Sequence, residues 1–328
     1  MKIIITGGAG FIGSHIAERY TKLSRNFEII ILDNLSTGRL ENIENFKDKV
    51  TFVKCDLSKK GKWKSYFKKA SYVFHIASLA DIVPSIEKPE DYFESNVTST
   101  LNVLEACRKY KCKKIIYAAS SSCYGIPKKY PTNEKELVKP MYPYALTKYL
   151  GENLIMHWNK VYNIPAVSLR LFNVYGTRSR TNSTYGAVMG VFFAQKLSNK
   201  PLTIVGSGNQ KRDFIYISDV VDAFILASKK NISGEIINIG SGKPRTIKEL
   251  ANLICSNKKS NLPKRPGEPD CTWANIYKAN KLLGWKPKVK LEIGVNHLIK
   301  NICYWKNAPV WNKRSIKKAT KSWFKHLK

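Results

Sequence analysis

Acidic residues are scarce in this chain: 24 Asp and Glu stand against 56 Lys and Arg in 328 residues, a formal charge of +32. Such an excess raises nucleic acid, anionic lipid and phosphorylated small molecules as partners, and the charge alone does not choose among them. The lysines are dispersed (Lys47, Lys109, Lys128, Lys200, Lys229, Lys286) rather than set on one reading helix, so we read a solvated Lys-rich surface and expect no nucleic-acid partner. Paired cysteines are lacking too. The seven present (Cys55, Cys107, Cys112, Cys123, Cys255, Cys271, Cys303) are odd in number, scattered and free of any CxxC, which argues against a disulfide framework and against structural zinc. A reducing compartment and no metal are expected. No uninterrupted apolar run is long enough to span a bilayer, and Met1 leads straight into a β-branched run without an export signal, so a cytoplasmic location is expected. No internal repeat stands out.

What is present is ample core material. Hydrophobic residues make up 43% of the chain, with 17 Tyr, 13 Phe and 7 Trp, enough for one large α/β unit or two closely coupled domains. Lys2 to Thr6 (KIIIT) reads as a strand, Phe11 to Tyr20 as a helix and Phe27 to Leu32 as a second strand. The alternation continues through Val50 to Val53, Tyr72 to Ile76, a helical stretch near Tyr92 to Tyr110, Lys114 to Ala118, a helix over Pro143 to Tyr162, and Ala166 to Leu171. Continuous β-branched strands alternating with helices predict a parallel sheet covered on both faces. Beyond it the pattern loosens, with a helix at Val188 to Leu197 and short strands at Leu202 to Val205 and Glu235 to Ile239. We expect a first domain over 1–170 to which some later segments return, a smaller and partly interleaved one over 171–305, and a basic tail over 306–328.

Between the first strand and helix lies TGGAGFIG, with Gly7, Gly10 and Gly13 spaced GxxGxxG. Glycine suits a tight turn whose backbone N–H groups receive a pyrophosphate at the positive end of a helix. Asp33 follows the second strand about twenty residues on, where a carboxylate can accept hydrogen bonds from ribose hydroxyls and repel a 2′-phosphate. That combination predicts a doubly wound, Rossmann-type sheet and favours NAD over NADP. Asp56, at the end of the third strand, is a candidate for the adenine amino group, with helix capping as its bland alternative.

PYALTK (143–148) puts Tyr144 and Lys148 at i and i+4 on one helix face. A phenol is a poor base at neutral pH, since its unperturbed pKa is about 10. A neighbouring ammonium and a positively charged nicotinamide ring favour the phenolate and let it take a proton from a sugar hydroxyl. Taken alone, such spacing arises by chance in many helices.

With these motifs, the chain resembles the extended short-chain dehydrogenase/reductase family, specifically the nucleotide-sugar epimerases and dehydratases. The motifs occur in the family's order: TGGAGFIG, HIAS at 75–78, Asn96, SSSCYG at 120–125, YxxxK, RLFNVYG at 170–176, RDFIYISD at 212–219, NIGSG at 238–242 and RPGEPD at 265–270. The resemblance implies a retained NAD, with Phe11, Ile12, Asn34, Leu57, Ala77 and Asn96 joining the glycines, Asp33, Asp56, Tyr144 and Lys148 around it. It makes Ser120 the hydroxyl assisting Tyr144; Ser121 has no assigned role beyond turn geometry. Where dehydratases and decarboxylases of the family carry Glu, this chain has Ser122. A hydroxyl cannot do a carboxylate's acid/base work at C5 and C6, so 4-epimerisation through a 4-keto sugar, supplying cell-surface glycans, is favoured over water elimination. On the substrate side the resemblance implies Ser122, Asn173, Val188, the diphosphate-binding Arg212 and Arg265, and Thr272, a small residue at a gate where a bulky tyrosine restricts the family to plain hexoses. Room for a 2-acetamido group follows. Phe214 replaces a common tyrosine, and SRTNSTYGAVMGVF (179–192) is not the family's usual loop. A homodimer is expected on the same likeness.

From Lys306 onward there are eight Lys or Arg and no acid, with Ile316, Thr320, Trp323 and Leu327 at helical spacing. This reads as a basic amphipathic helix, docking its apolar side on the body or a neighbouring subunit in preference to an anionic membrane. A non-catalytic NAD-fold binding protein is the rival of another class, and it is disfavoured because Ser120, Tyr144 and Lys148 are retained together.

Overall fold

The computed structural model describes residues 1–24, 26–180, 188–255 and 259–327. Six strands from the first 171 residues build most of one parallel sheet: β1 (Lys2–Thr6), β2 (Glu28–Asp33), β3 (Thr51–Lys54), β4 (Ala70–His75), β5 (Lys114–Ser120) and β6 (Ala166–Leu171). The seventh strand is Glu235–Ile239, which returns from late in the chain to pair with β6 in parallel, Ile237 opposite Leu169. Across the sheet the order is Glu235–Ile239, β6, β5, β4, β1, β2, β3. The order reverses between β4 and β1, and open α/β sheets bind ligands at the carboxyl ends of the strands flanking such a point.

The continuous apolar strands follow from burial on two faces. In β1, Ile3 and Ile5 point into a core shared with Ile16 and Tyr20 of α1 (Phe11–Leu23), whereas Ile4 points oppositely toward Trp63 and Phe67. The first face is also covered by Ile217–Lys229, through Val220, Val221 and Phe224, and the second by Ser99–Tyr110 and Pro143–Tyr162. A buried polar layer ties the sheet to Pro143–Tyr162: Arg170 of β6 makes a forked ion pair with Glu152, Nη2 to Oε1 at 2.6 Å, both side chains about fully buried. A third core, built by Phe192, Phe193, Leu202, Leu250 and Trp305, holds the second half together above the strand ends.

The helical stretch expected near Tyr92 to Tyr110 runs from Pro89 to Tyr110 and widens to a π-type turn over Glu94–Thr98, between Pro89–Phe93 and Ser99–Tyr110. The tail differs as well: it forms two short helices, Lys313–Ala319 and Lys321–His326, separated at Thr320, whose backbone (φ −101°, ψ 9°) leaves the helical register. Ile316, Thr320 and Trp323 are all buried against the body, so the apolar stripe is occupied by the protein itself. All seven cysteines are free, and among the described residues no helix is long and apolar enough to cross a membrane.

Candidate active site

One cleft of about 920 Å³ runs along the carboxyl edge of the sheet, at the large end of the range for ligand pockets. At one end is the glycine turn. Gly7 has φ +65°, and a Cβ there would lie 2.7 Å from the Ala77 backbone nitrogen, so the turn and the end of β4 meet only because the side chain is absent. No side chain caps α1 at Gly10, and no acid stands in its first turn, which leaves its positive end available to an anion. Asp33 stands at the rim, buried, its two carboxylate oxygens accepting from the Ala9 and Leu35 amides at 3.0 and 2.8 Å. Burial raises its pKa while those amides hold it down. Phe11, Ile12, Asn34, Asp56, Leu57 and Ala77 line the same end. Asp56 also accepts from the Ser58 amide at 2.9 Å, a local turn contact; the next helix, Lys62–Phe67, starts from Gly61, so Asp56 does not cap it. This cradle, an uncapped helix end with a rim carboxylate, fits a pyrophosphate-bridged dinucleotide.

Two residues expected at the cofactor stand elsewhere. Gly13 does not line the cleft; a Cβ there would lie 2.3 Å from the Gly7 carbonyl oxygen, so this glycine lets α1 press against the turn. Asn96 is buried behind the wall, its Oδ1 accepting from the Leu79 amide at 2.8 Å while Nδ2 donates to the Leu79 carbonyl and to Thr147 Oγ1, both at 3.0 Å. Its amide is spent on pinning the segment after β4 to the helix that carries Tyr144.

In the middle of the cleft three hydroxyls converge. β5 ends at Ser120 and turns sharply there, and Pro143 starts the helix Pro143–Tyr162, aiming Tyr144 back at that turn. Tyr144 OH donates to Ser120 Oγ at 3.2 Å, and Ser120 Oγ lies 2.8 Å from Ser122 Oγ. Lys148 Nζ sits one turn deeper, 4.4 Å above the Tyr117 ring. Burial governs both ionisable groups: it raises the Tyr144 pKa, against the hydrogen bonds of Ser120 and Ser122, and pulls that of Lys148 down to about 7, against the charge of Glu152. The pairing was expected to favour the phenolate. Desolvation, the largest influence on each group, opposes both charged forms.

The far end belongs to the second half. Asn173 begins a short strand (Asn173–Tyr175) and accepts from Thr272 Oγ1 at 2.8 Å; Thr272 in turn accepts from the Asp213 amide at 3.0 Å. Arg212 and Arg265 flank Glu268, at 2.7 and 3.9 Å. Val188, at the start of Val188–Leu197, lines the wall; positions 181–187 of the atypical loop lie outside the described residues. Sequence reasoning passed over three residues here. Glu268 sits inside the quoted RPGEPD, and its pairing with arginines was the available signal. Asp213, fully buried, accepts from the Gly242 and Ala274 amides at 3.1 and 2.9 Å and so orders the loop bearing Thr272. Trp323 of the tail lines the cleft, which no local pattern announces.

Comparison with known proteins agrees with this geometry. A UDP-N-acetylglucosamine 4-epimerase from Methanobrevibacter ruminantium, solved with UDP-N-acetylmuramic acid, is 32% identical, with a TM-score of 0.86 over 93% of this chain and 98% of that one. A UDP-glucuronic acid 4-epimerase from Bacillus cereus, solved with UDP-glucuronic acid and NAD, is 34% identical, with a TM-score of 0.85 over 94% and 99%. A UDP-glucose 4-epimerase of Mycolicibacterium smegmatis is 31% identical over 306 residues, 90% of this chain and 96% of its own. The family model for NAD dependent epimerases and dehydratases matches residues 3–240. With the dinucleotide cradle at one end of the cleft and the converging hydroxyls beside it, the chain belongs to the NAD dependent epimerase/dehydratase family, and its cofactor is NAD.

Proposed function

We propose that the protein is a nucleotide-sugar 4-epimerase acting on a UDP-linked hexose, UDP-N-acetylglucosamine/galactosamine or UDP-glucose/galactose. The observation that carries this reading is the hydroxyl trio. Tyr144, Ser120 and Ser122 hydrogen-bond in a chain, and among the described residues none of the three is bonded to a carboxylate. Such a group can move a proton at a sugar hydroxyl, but it supplies no acid/base pair for eliminating water from C5 and C6.

As the phenolate, Tyr144 takes the proton of the sugar O4 as the C4–H bond breaks, with Ser120 relaying or steadying that proton, and the resulting phenol gives it back when the C4–H bond is remade on the other face. The 4-keto sugar turns about its diphosphate link between these events. NAD, when bound, accepts and returns the hydride. Lys148, brought into a dry site, places a positive charge one helical turn from the phenol oxygen and lowers the cost of the phenolate. Gly7, Gly10 and the first turn of α1 hold the cofactor pyrophosphate, and Asp33 holds its adenosine ribose. Arg212 and Arg265 hold the substrate diphosphate through forked contacts, with Asn173 and Thr272 bordering the sugar.

The three relatives are named for three different sugars, and Thr272 leads us to prefer the 2-acetamido substrate. The test is the product formed from a panel of UDP-, GDP- and dTDP-sugars. A C4 epimer is expected. A released keto or 6-deoxy sugar overturns the reading in favour of a dehydrogenase or dehydratase. Tyr144→Phe should lower turnover by about 10² to 10⁴ while NAD still binds; retention of most of the activity would show the base to be misassigned.

A further inference from the structure

The tail reaches into the cleft. Trp323, 5% exposed, donates from its indole Nε1 to the Pro266 carbonyl at 2.7 Å, in the loop between Arg265 and Glu268. The Arg265 guanidinium carbon lies 5.4 Å from the Trp323 ring centre, within the range of a cation–π contact. The indole also lies 6.3 Å from Tyr142, centre to centre, and Tyr142 stacks on Tyr144 at 6.3 Å with the rings 9° from parallel. One residue before the tryptophan, Ser322 Oγ donates to Glu87 at 2.8 Å, on the helix Ile82–Glu87 across the cleft. The tail therefore joins a loop of the second half to a helix of the first, and Thr320 and Trp323 form part of the wall between.

We infer that the C-terminal tail is a built part of the substrate site: Trp323 holds the Arg265 guanidinium and the Pro266 loop in position for the substrate diphosphate and closes the wall beside Tyr142. Trp323 is a positioning residue, acting through Arg265. The indole suits the task because it offers an aromatic face to a guanidinium and one N–H to a carbonyl, so both the cation and the loop backbone are fixed by a single rigid side chain. The neighbouring Gly267, at φ +66°, leaves room for Met141 and Leu327, so loop and tail fit without an intervening side chain. The inference rests on the nucleotide-sugar reading only for the identity of the diphosphate.

Calorimetric titration of NAD-loaded full-length protein with UDP, and separately with inorganic pyrophosphate, tests it. Trp323→Ala and a chain ending at Ala319 should both bind UDP about tenfold more weakly, the loss of one desolvated cation–π contact. Trp323→Phe, which keeps the aromatic face, should recover most of the loss and guards against a folding artefact. In an Arg265→Ala background the further change to Trp323→Ala should cost little, because the tryptophan acts through the arginine. Unchanged UDP binding in both the alanine variant and the shortened chain overturns the inference, as does an undiminished loss in the Arg265→Ala background. If the wild type binds pyrophosphate but not UDP, the nucleotide reading fails and the tail is judged on pyrophosphate. If neither binds, both fall.

Discussion

Lys148→Met isolates the energetic penalty of the proposed catalytic lysine. Lys148 is 3% exposed, its ammonium has the Tyr117 ring beneath it, and burial takes its pKa from 10.5 to about 7. The lowered pKa means that the folded protein binds this proton less tightly than the unfolded chain. The penalty is therefore fully present below the folded pKa near 7, shrinks as pH rises from 7 to about 10, and vanishes above the unfolded value. The gap between the two values is worth roughly 5 kcal/mol at about 1.36 kcal/mol per pKa unit, which bounds the effect from above. Methionine has nearly the same length and no charge, so the variant should be more stable than the wild type in the absence of NAD, by about 2 kcal/mol or more at pH 6. The advantage should close toward pH 10. Urea denaturation of both proteins at pH 6, 8 and 10 measures it, and turnover of the variant should be lost throughout. A variant less stable than the wild type by the same amount at every pH would refute the reasoning, since it would mean that Lys148 acts as packing rather than as a desolvated charge.

Gly13→Ala places a methyl 2.3 Å from the Gly7 carbonyl oxygen and 2.8 Å from Gly8 Cα, so the turn must shift; NAD affinity should fall at least about tenfold and stability by about 1–3 kcal/mol, read by cofactor titration and urea melts. Arg170→Met leaves the Glu152 carboxylate buried without its cation and should destabilise the protein by about 3–5 kcal/mol in urea denaturation near neutral pH. Thr272→Tyr removes the hydroxyl bonded to Asn173 and fills the space beside it; the kcat/KM ratio of UDP-N-acetylglucosamine to UDP-glucose should drop by about tenfold or more, as measured with both sugars side by side.

The parts of this molecule that repeat locally could be read from the chain. The strand Ala166–Leu171 and the helix Pro143–Tyr162 stand where the local pattern places them, because a strand buried on both faces and a partly exposed helix each carry their signature within a few residues; Val188–Leu197, buried nearly all round, is marked by its apolar run instead. The glycine turn was legible for the same reason. Asn96 shows the limit: it sits in a motif that borders the cofactor, yet whether its side chain meets a ligand or braces the wall behind it depends on Leu79 and Thr147, distant in sequence. The seat of Trp323 depends on Pro266, 57 residues upstream, and no local pattern encodes that meeting. The pKa of Lys148 was hidden too, because depth beneath the surface is a property of the folded whole.

The strand Glu235–Ile239 pairs with a neighbour some seventy positions earlier, and Ile237 and Ile239 complete the core beneath α1. A fragment ending at 170 would contain the glycine turn, Asp33, Tyr144 and Lys148, yet it would leave β6 as an open, wholly buried-type edge and strip away the helix Ile217–Lys229 that covers one face. Such an edge pairs readily with other chains. The dinucleotide cradle is thus not a module that can be cut out or grafted: synthesis must pass residue 239 before the sheet can close, and chains stalled earlier are candidates for aggregation rather than for NAD binding.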